Sequence, residues 1–215
     1  VKIIVYTAII GDCDTLLPPP PGATAVAFVT RKQNAPGWEQ RIVTADWGPR
    51  RTARHYKTLP NRYLPDADVT IWLDGNVSMS ITPEDAMVRW LHGDLATFKH
   101  WERDCLYDEA AFCAKIGKDD KLTLGDQARR YQNAGMPRHW GMAATRVVMR
   151  RNTPAMVALN EAWWAELQAG SVRDQVSLPY VCWQAGMRWD VIPGKLVPGM
   201  RGNFGCIRHA KRGRT

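Results

Sequence analysis

Val69-Thr70-Ile71-Trp72-Leu73-Asp74-Gly75-Asn76-Val77-Ser78-Met79 is a short apolar, β-favouring run that stops at two oxygen-bearing side chains separated by a glycine. The run predicts a buried strand. The glycine frees the backbone to turn at its end, and side chains at i and i+2 can then point to one side of the chain. In an open α/β sheet, ligands bind beyond the carboxyl ends of strands, where Asp74 and Asn76 fall. A carboxylate and an amide oxygen suit a hard divalent cation such as Mg²⁺ or Mn²⁺. The competing reading is a β-turn closing a hairpin, a frequent use of Asp-Gly-Asn. On these residues alone both readings stand.

Outward from that stretch, strands and helices alternate. Lys2 to Ile10 (KIIVYTAII) reads as a buried first strand stopped by Gly11-Asp12-Cys13-Asp14. The prolines at 18 to 21 form a rigid loop, and Ala25 to Thr30 is a second strand. Arg50 to Lys57 has helical spacing, with Arg51, Arg54 and Lys57 near one face, and Leu59-Pro60 ends the helix. Thr82-Pro83-Glu84-Asp85 starts another helix. Asp94 to His100 reads as a strand, Arg103 to Lys115 as an amphipathic helix, and Asp119 or Asp120 to Gln132 as the next helix. Gly141 to Arg150 has β character, and Thr153-Pro154 caps a helix running to Gln168. An apolar segment follows Ser171, in which Pro179 sits in the first turns of a late-starting helix or kinks an early one. Met187 to Ile192 is expected as the last strand, and the tail from about 198 to 215 reads as a basic, Gly-rich loop. No repeat or linker divides residues 1–215, so a single domain is expected.

Composition narrows the function classes. The chain has 215 residues, enough for a sizeable α/β core, and 45% hydrophobic content is ordinary for a globular protein. The net charge of +8 implies anionic partners such as phosphates, acidic polysaccharide or nucleic acid. Five scattered cysteines form no C-x-x-C pair, and Cys105 and Cys113 on one helix would lie about 12 Å apart at 1.5 Å rise per residue. A reducing compartment, cytoplasmic, is the simpler expectation. No run reaches membrane-spanning length.

The alternation predicts a mainly parallel sheet with right-handed crossovers. G-x-G-x-x-G after the first strand and G-x-x-x-x-G-K-[ST] are absent, which disfavours dinucleotide and P-loop phosphate binding. G-x-S-x-G and H-E-x-x-H are absent too. Three polar clusters remain: Asp74/Asn76, His100 with Arg103, and Arg173-Asp174-Gln175.

Val5 to Asp14, Arg51-x-x-Arg54-x-x-Lys57-x-x-Pro60, Ile71 to Asn76, His100-x-x-Arg103-x-x-x-Tyr107-x-Glu109-Ala110 and Arg173-Asp174-Gln175-x-Ser177 occur in this order in one family. The sequence resembles the glycosyltransferase-like domain of plant turgor-regulation and mucilage proteins, over roughly Ile3 to Asp190. That resemblance implies an A-type nucleotide-diphospho-sugar transferase fold: a three-layer α/β/α sandwich with a mainly parallel central sheet. It also implies transfer of a sugar from a nucleoside diphosphate, UDP foremost, to an acceptor hydroxyl on a polysaccharide or glycoconjugate.

Under the resemblance, Asp74 and Asn76 occupy an Asp-x-Asp metal motif for Mn²⁺ or Mg²⁺, with His209 as a further ligand. Thr7, Ala8, Gly11 and Asp12 would lie along the nucleoside, and Arg51, Arg54 and Lys57 would face the diphosphate. Asp174 is the candidate base or oxocarbenium stabiliser, with Gln175 beside it on the donor sugar. His100 is the rival base, and Arg173 orients Asp174 or binds an acidic sugar. Two alternatives are a metal-assisted hydrolase on the same scaffold and a basic polyanion or nucleic-acid-binding module using Lys211, Arg212, Arg214 and the Arg50–Lys57 helix. The latter has no recognised nucleic-acid motif behind it.

Overall fold

Seven segments hydrogen-bond into one sheet, and their order decides where a ligand can sit. They are β1 (Ile3–Ile9), β2 (Thr24–Val29), β3 (Trp38–Ile42), β4 (Val69–Leu73), β6 (Leu95–Lys99), β7 (Ala143–Arg151) and β8 (Asp190–Ile192). The computed structural model describes residues 1–11 and 14–208. The order across the sheet is β3-β2-β1-β4-β7-β6-β8. All neighbours run parallel except β7, which is antiparallel to both β4 and β6. β5 (Val77–Met79) and β9 (Phe204–Cys206) form a separate antiparallel pair.

Strand alternation divides the apolar side chains between the two faces. Ile4, Tyr6, Ala8 and Trp72 enter one core, with residues of α4 (Leu106–Lys115), α5 (Lys121–Asn133), α6 (Pro154–Ala169) and α7 (Asp174–Gln184). Ile3, Val5, Ile71 and Leu73 enter the other, covered by α3 (Pro83–Trp90) and the β5/β9 pair. Each fully buried Val, Leu or Ile in these layers contributes roughly 1.5–3 kcal/mol. Both faces being covered is why the central strands read as continuous apolar runs.

The helix starts follow the sequence. Thr82 Oγ1 accepts from Asp85 N at 3.1 Å, Asp120 Oδ2 from Thr123 N at 2.7 Å and Thr153 Oγ1 from Met156 N at 3.3 Å. These caps satisfy backbone donors that a first turn leaves free. Four boundaries differ from expectation. β3 is an edge strand with the half-exposed, polar sequence Trp-Glu-Gln-Arg-Ile, which carries little strand signal. β9 forms inside the tail expected to be a loop, because β5 offers it a partner. α4 begins at Leu106 rather than Arg103, whose backbone N–H donates to His100 Nδ1 in the preceding loop. α7 begins at Asp174, which leaves Pro179 inside it.

Asp74-Gly75-Asn76 is indeed a turn, with Val77 N donating to Asp74 O at 2.8 Å. It closes no hairpin, because β5 leaves the main sheet and pairs with β9. Gly75 leaves space at the turn: a Cβ there would sit 2.4 Å from Ile9 Cδ1, so a larger residue would have to push the tip of that side chain aside.

Candidate active site

α1 (Gly48–Thr58), followed by the short α2 (Pro60–Tyr63), runs from the end of β3 toward β4 and carries the basic stretch. The three cations that the spacing put on one face separate. Arg51 turns to the end of α6, donating Nη1 to Leu167 O and Nη2 to Gly170 O at 3.2 Å. A cation there answers carbonyls that a helix end leaves unbonded. Arg51 therefore does not face the diphosphate site assigned to it from sequence.

Arg54 and Lys57 converge on Asp174, at the first turn of α7. Arg54 Nε lies 3.0 Å from Asp174 Oδ1, and Lys57 Nζ lies 2.5 Å from Oδ2. Thr145 Oγ1 on β7 donates to the same Oδ2 at 2.7 Å. The Arg54 contact is an ion pair rather than an aligned hydrogen bond, since its buried Nε has no partner in hydrogen-bond geometry. Lys57 is fully buried, and its ammonium also reaches Asp74 Oδ1 at 3.2 Å. Trp72 Nε1 donates to that same oxygen at 2.7 Å.

Burial alone would raise the pKa of Asp174, but Arg54 and Lys57 more than offset it and hold the carboxyl well below the usual aspartate range. Burial pulls Lys57 toward its neutral form, and the two carboxylates oppose it. An ammonium bridging Asp74 and Asp174 is the form these contacts need. Asp174 is 2% exposed and fully engaged by donors. That geometry argues against Asp174 as a proton acceptor and makes it the anchor of two cations.

A residue that sequence reasoning passed over fixes Lys57. Arg150 on β7, 1% exposed, donates Nη2 to Lys57 O at 2.6 Å and Nη1 to Asn160 Oδ1 at 2.8 Å. Tyr6 on β1 donates its hydroxyl to the same Lys57 carbonyl at 2.8 Å and itself accepts from Arg150. The last turn of α1 is thereby held by β1 and β7 together. Its only sequence signal was an arginine at the end of an apolar strand.

Above this layer lies a cleft of about 360 Å³, at the point where β1 connects to β2 on one side and pairs with β4 on the other. Sheet order reverses there, the usual ligand position of an open α/β sheet. Ala8, Ile9 and Ile10 at the end of β1 and Trp72, Asp74 and Gly75 at the end of β4 form its floor. Arg50, Arg54, Lys118 and Arg173 bring four cationic side chains to its walls, against the carboxylates of Asp14 and Asp74. Arg50 and Lys118 are joined through Arg50 Nη1 to Lys118 O at 3.2 Å. The basic stretch pointed to Arg50, whereas nothing in the sequence marked Lys118.

The remaining expected donor and metal residues lie in several places. Ala8 is on the cleft floor. Thr7 is buried with its hydroxyl unpartnered and is not on the cleft wall. Gly11, at φ +76°, donates its N–H to Thr30 Oγ1 at 2.9 Å and lines a separate surface pocket. Gln175 accepts from Arg173 Nη2 at 2.9 Å and sits beside the cleft rather than on its wall. Asp12 and His209 lie outside the described residues.

Asn76 is sealed beneath the turn. Its Nδ2 donates to Ile207 O at 2.7 Å, and Ile207 N returns a bond to Asn76 O at 3.0 Å. The Ile207 carbonyl can only accept, so the amide oxygen must point the other way. That Oδ1 is shielded from solvent and unpartnered, and Asn76 is absent from the cleft wall. Of the expected metal pair only Asp74 reaches the cleft, with one oxygen already holding Lys57 and Trp72. The pair as arranged does not fit a divalent ion.

The third cluster forms a second corner. His100, at the end of β6, accepts at Nδ1 from Glu102 N at 3.3 Å and Arg103 N at 3.1 Å. Its Nε2 lies 3.7 Å from Glu109 Oε2, which also takes Arg103 Nε at 2.5 Å. Burial lowers the His100 pKa, with Glu109 opposing and Arg103 assisting. His100 does not line the cleft; Arg173 does, and its Nη2 approaches Glu109 Oε1 at 3.9 Å. Farther along, Cys105, Asp108 and His139 offer ligand atoms within 4.8 Å of one another. Asp108 there is paired to Arg138 and His139 to Asp104. Cys105, Cys113, Cys182 and Cys206 are free thiols. Among the described residues no helix is long and apolar enough to cross a membrane.

A cationic cleft at the reversal point of such a sheet invites comparison with proteins that handle activated sugars. The WbbM bifunctional glycosyltransferase, in its apo structure, is similar to this chain with a TM-score of 0.50 at 9% identity, over 84% of this chain and 37% of that one. That likeness shows the fold alone. The probable hexosyltransferase MUCI70 of Arabidopsis thaliana is 27% identical over 143 residues, 61% of this chain and 25% of that protein. The chain thus spans about a quarter of the length of that relative. The family described as TOD1/MUCI70, glycosyltransferase-like domain, matches residues 42–192, a span that includes Arg54, Lys57, Asp74, His100 and Asp174. Since that match covers well over half of its residues, the chain belongs to the TOD1/MUCI70 glycosyltransferase-like domain family.

Proposed function

We propose that this domain transfers a sugar from a nucleoside diphosphate, UDP foremost, to an acceptor hydroxyl on a polysaccharide or glycoconjugate. The observation that carries the reading is the cleft at the β1/β4 strand ends with four cationic side chains on its walls. Family membership and the hexosyltransferase name of the Arabidopsis relative support it.

In the reaction the bond between the sugar anomeric carbon and the β-phosphate oxygen breaks, and its electron pair stays on the diphosphate. The acceptor oxygen bonds to that carbon, and its proton passes to a carboxylate. Negative charge grows on the leaving group, so fixed cations aimed at it stabilise the transition state more than the ground state. Arg50, Arg54, Lys118 and Arg173, which line the cleft, take this role in the proposal. Asp174 and Lys57 keep Arg54 in position from below. Asp14 and Asp74 are the carboxylates on the wall and the candidates for the acceptor's proton.

The test is incubation with a panel of UDP- and GDP-sugars while free nucleotide is measured. Expected is slow release from at least one donor, falling about 100-fold in Arg54→Ala with the fold retained. Failure of every donor to bind, together with tight salt-sensitive oligonucleotide binding, sinks the transferase in favour of a polyanion module.

A further inference from the structure

Of the two carboxylates on the cleft wall, Asp14 and Asp74, the one that follows β4 is already occupied by a buried lysine. Lys57 Nζ lies 3.2 Å from its Oδ1, and Trp72 Nε1 lies 2.7 Å from the same atom. A dication on Asp74 would face that ammonium across one carboxylate, and like charges at such range repel. Lys57 cannot withdraw cheaply: it is fully buried, bridges to Asp174 at 2.5 Å, and ends a helix turn pinned by Arg150 and Tyr6. Asn76 cannot help an ion at the cleft without breaking its 2.7 Å bond to the Ile207 carbonyl. Its unpartnered Oδ1 is shut off from the cleft, which leaves Asp14 as the other carboxylate beside Asp74.

The cleft meanwhile holds charge suited to a diphosphate. Arg50, Arg54 and Arg173 bring planar guanidinium groups, which bind phosphate oxygens in pairs, and Lys118 adds a point charge. Lys57 neutralises Asp74 from beneath, so that this carboxylate repels the diphosphate less.

We propose that this domain grips the diphosphate of its nucleotide with Arg50, Arg54, Arg173 and Lys118 and needs no divalent metal there, Lys57 standing on Asp74 where an ion would otherwise bind. The inference rests on the nucleotide-sugar reading above. It is tested by titrating UDP, and in parallel GDP and ADP, into the EDTA-treated full chain by calorimetry, once with excess EDTA and once with excess Mn²⁺. The expected dissociation constants agree within about threefold between the two conditions. Arg50→Ala with Lys118→Ala, both at exposed positions that leave folding intact, weakens binding about tenfold in EDTA. Binding that is more than about tenfold tighter with Mn²⁺, or that appears only with it, overturns the inference and leaves the transferase reading standing. If no nucleotide binds under either condition, the nucleotide reading itself fails, and this inference with it.

Discussion

Two corners of the molecule are built alike and behave differently. In one, Asp174 is 2% exposed and meets Lys57, Arg54 and Thr145. In the other, Glu109 is 3% exposed and meets Arg103, His100 and the far end of Arg173. Each is a buried carboxylate among cations near a helix start. The partners of Asp174 come from α1 and β7 and tie separate elements together. The partners of Glu109 come mostly from the short loop between β6 and α4. The first corner sits directly under the cleft and fixes its charge, whereas the second reaches it through Arg173 alone. Burial of a charged cluster does not by itself make a site; what counts is which wall its free side faces.

The largest expected effect follows from removing the shared cation. Lys57→Met leaves Asp74 and Asp174 close together without the ammonium between them. Breaking a buried pair in this way costs about 3–5 kcal/mol. Arg103→Met in the other corner leaves Glu109 with His100 and Arg173, and should cost about 1–3 kcal/mol. Urea midpoints of both variants check the ranking. A loss under about 1 kcal/mol for Lys57→Met would break the comparison, because Lys57 would then not be what holds the two carboxylates together.

Asp174 sets a pH dependence of its own. Its folded pKa is depressed, the cations winning over burial. Its stabilising contribution is therefore fully present above the ordinary aspartate value of about 3.9, and is lost as pH falls from there toward the folded value. Asp174→Asn should lower stability by about 3 kcal/mol at neutral pH, and the gap to the parent should shrink below about pH 4. Denaturant titrations at several pH values between neutrality and the acid limb measure it. A gap of constant size would mean that the carboxylate is not held as an ion.

Much of this was legible in the sequence, and the parts that were not share a physical cause. The buried strands β1, β2 and β4 and the helix starts at Thr82, Asp120 and Thr153 announce themselves through local chemistry: apolar runs and capping oxygens. β3 and β9 exist because a neighbouring strand offers hydrogen bonds, which no local pattern reports. In the site, Asp74 lies beyond the carboxyl end of β4, where its strand pattern puts it, and lines the cleft. Arg51 and Arg54 look equivalent by spacing, yet one meets α6 and the other α7, a choice made by tertiary packing. Arg150 and Lys118 became visible only once distant segments met.

The smallest effect decides what His100 is for. Its Nδ1 accepts two backbone N–H groups, and Glu109, Glu102, Arg103 and Arg173 are the charged groups facing the ring. Burial lowers its folded pKa. The unfolded chain therefore takes a proton near pH 6.5 while the folded protein does not, and stability falls as pH drops below that value. His100→Asn keeps an oxygen able to accept from Glu102 and Arg103 and removes the titration. The decline in stability between about pH 7 and pH 5.5 should then be shallower in the variant than in the parent, with nucleotide release little changed. His55, whose pKa burial also lowers, contributes equally to both proteins and cancels in the difference. A steeper decline in the variant would mean that Glu109 outweighs burial and His100 carries a proton when folded. That result would restore His100 as an acid–base candidate; the expected one makes it the acceptor that holds the loop carrying Arg103 against Glu109.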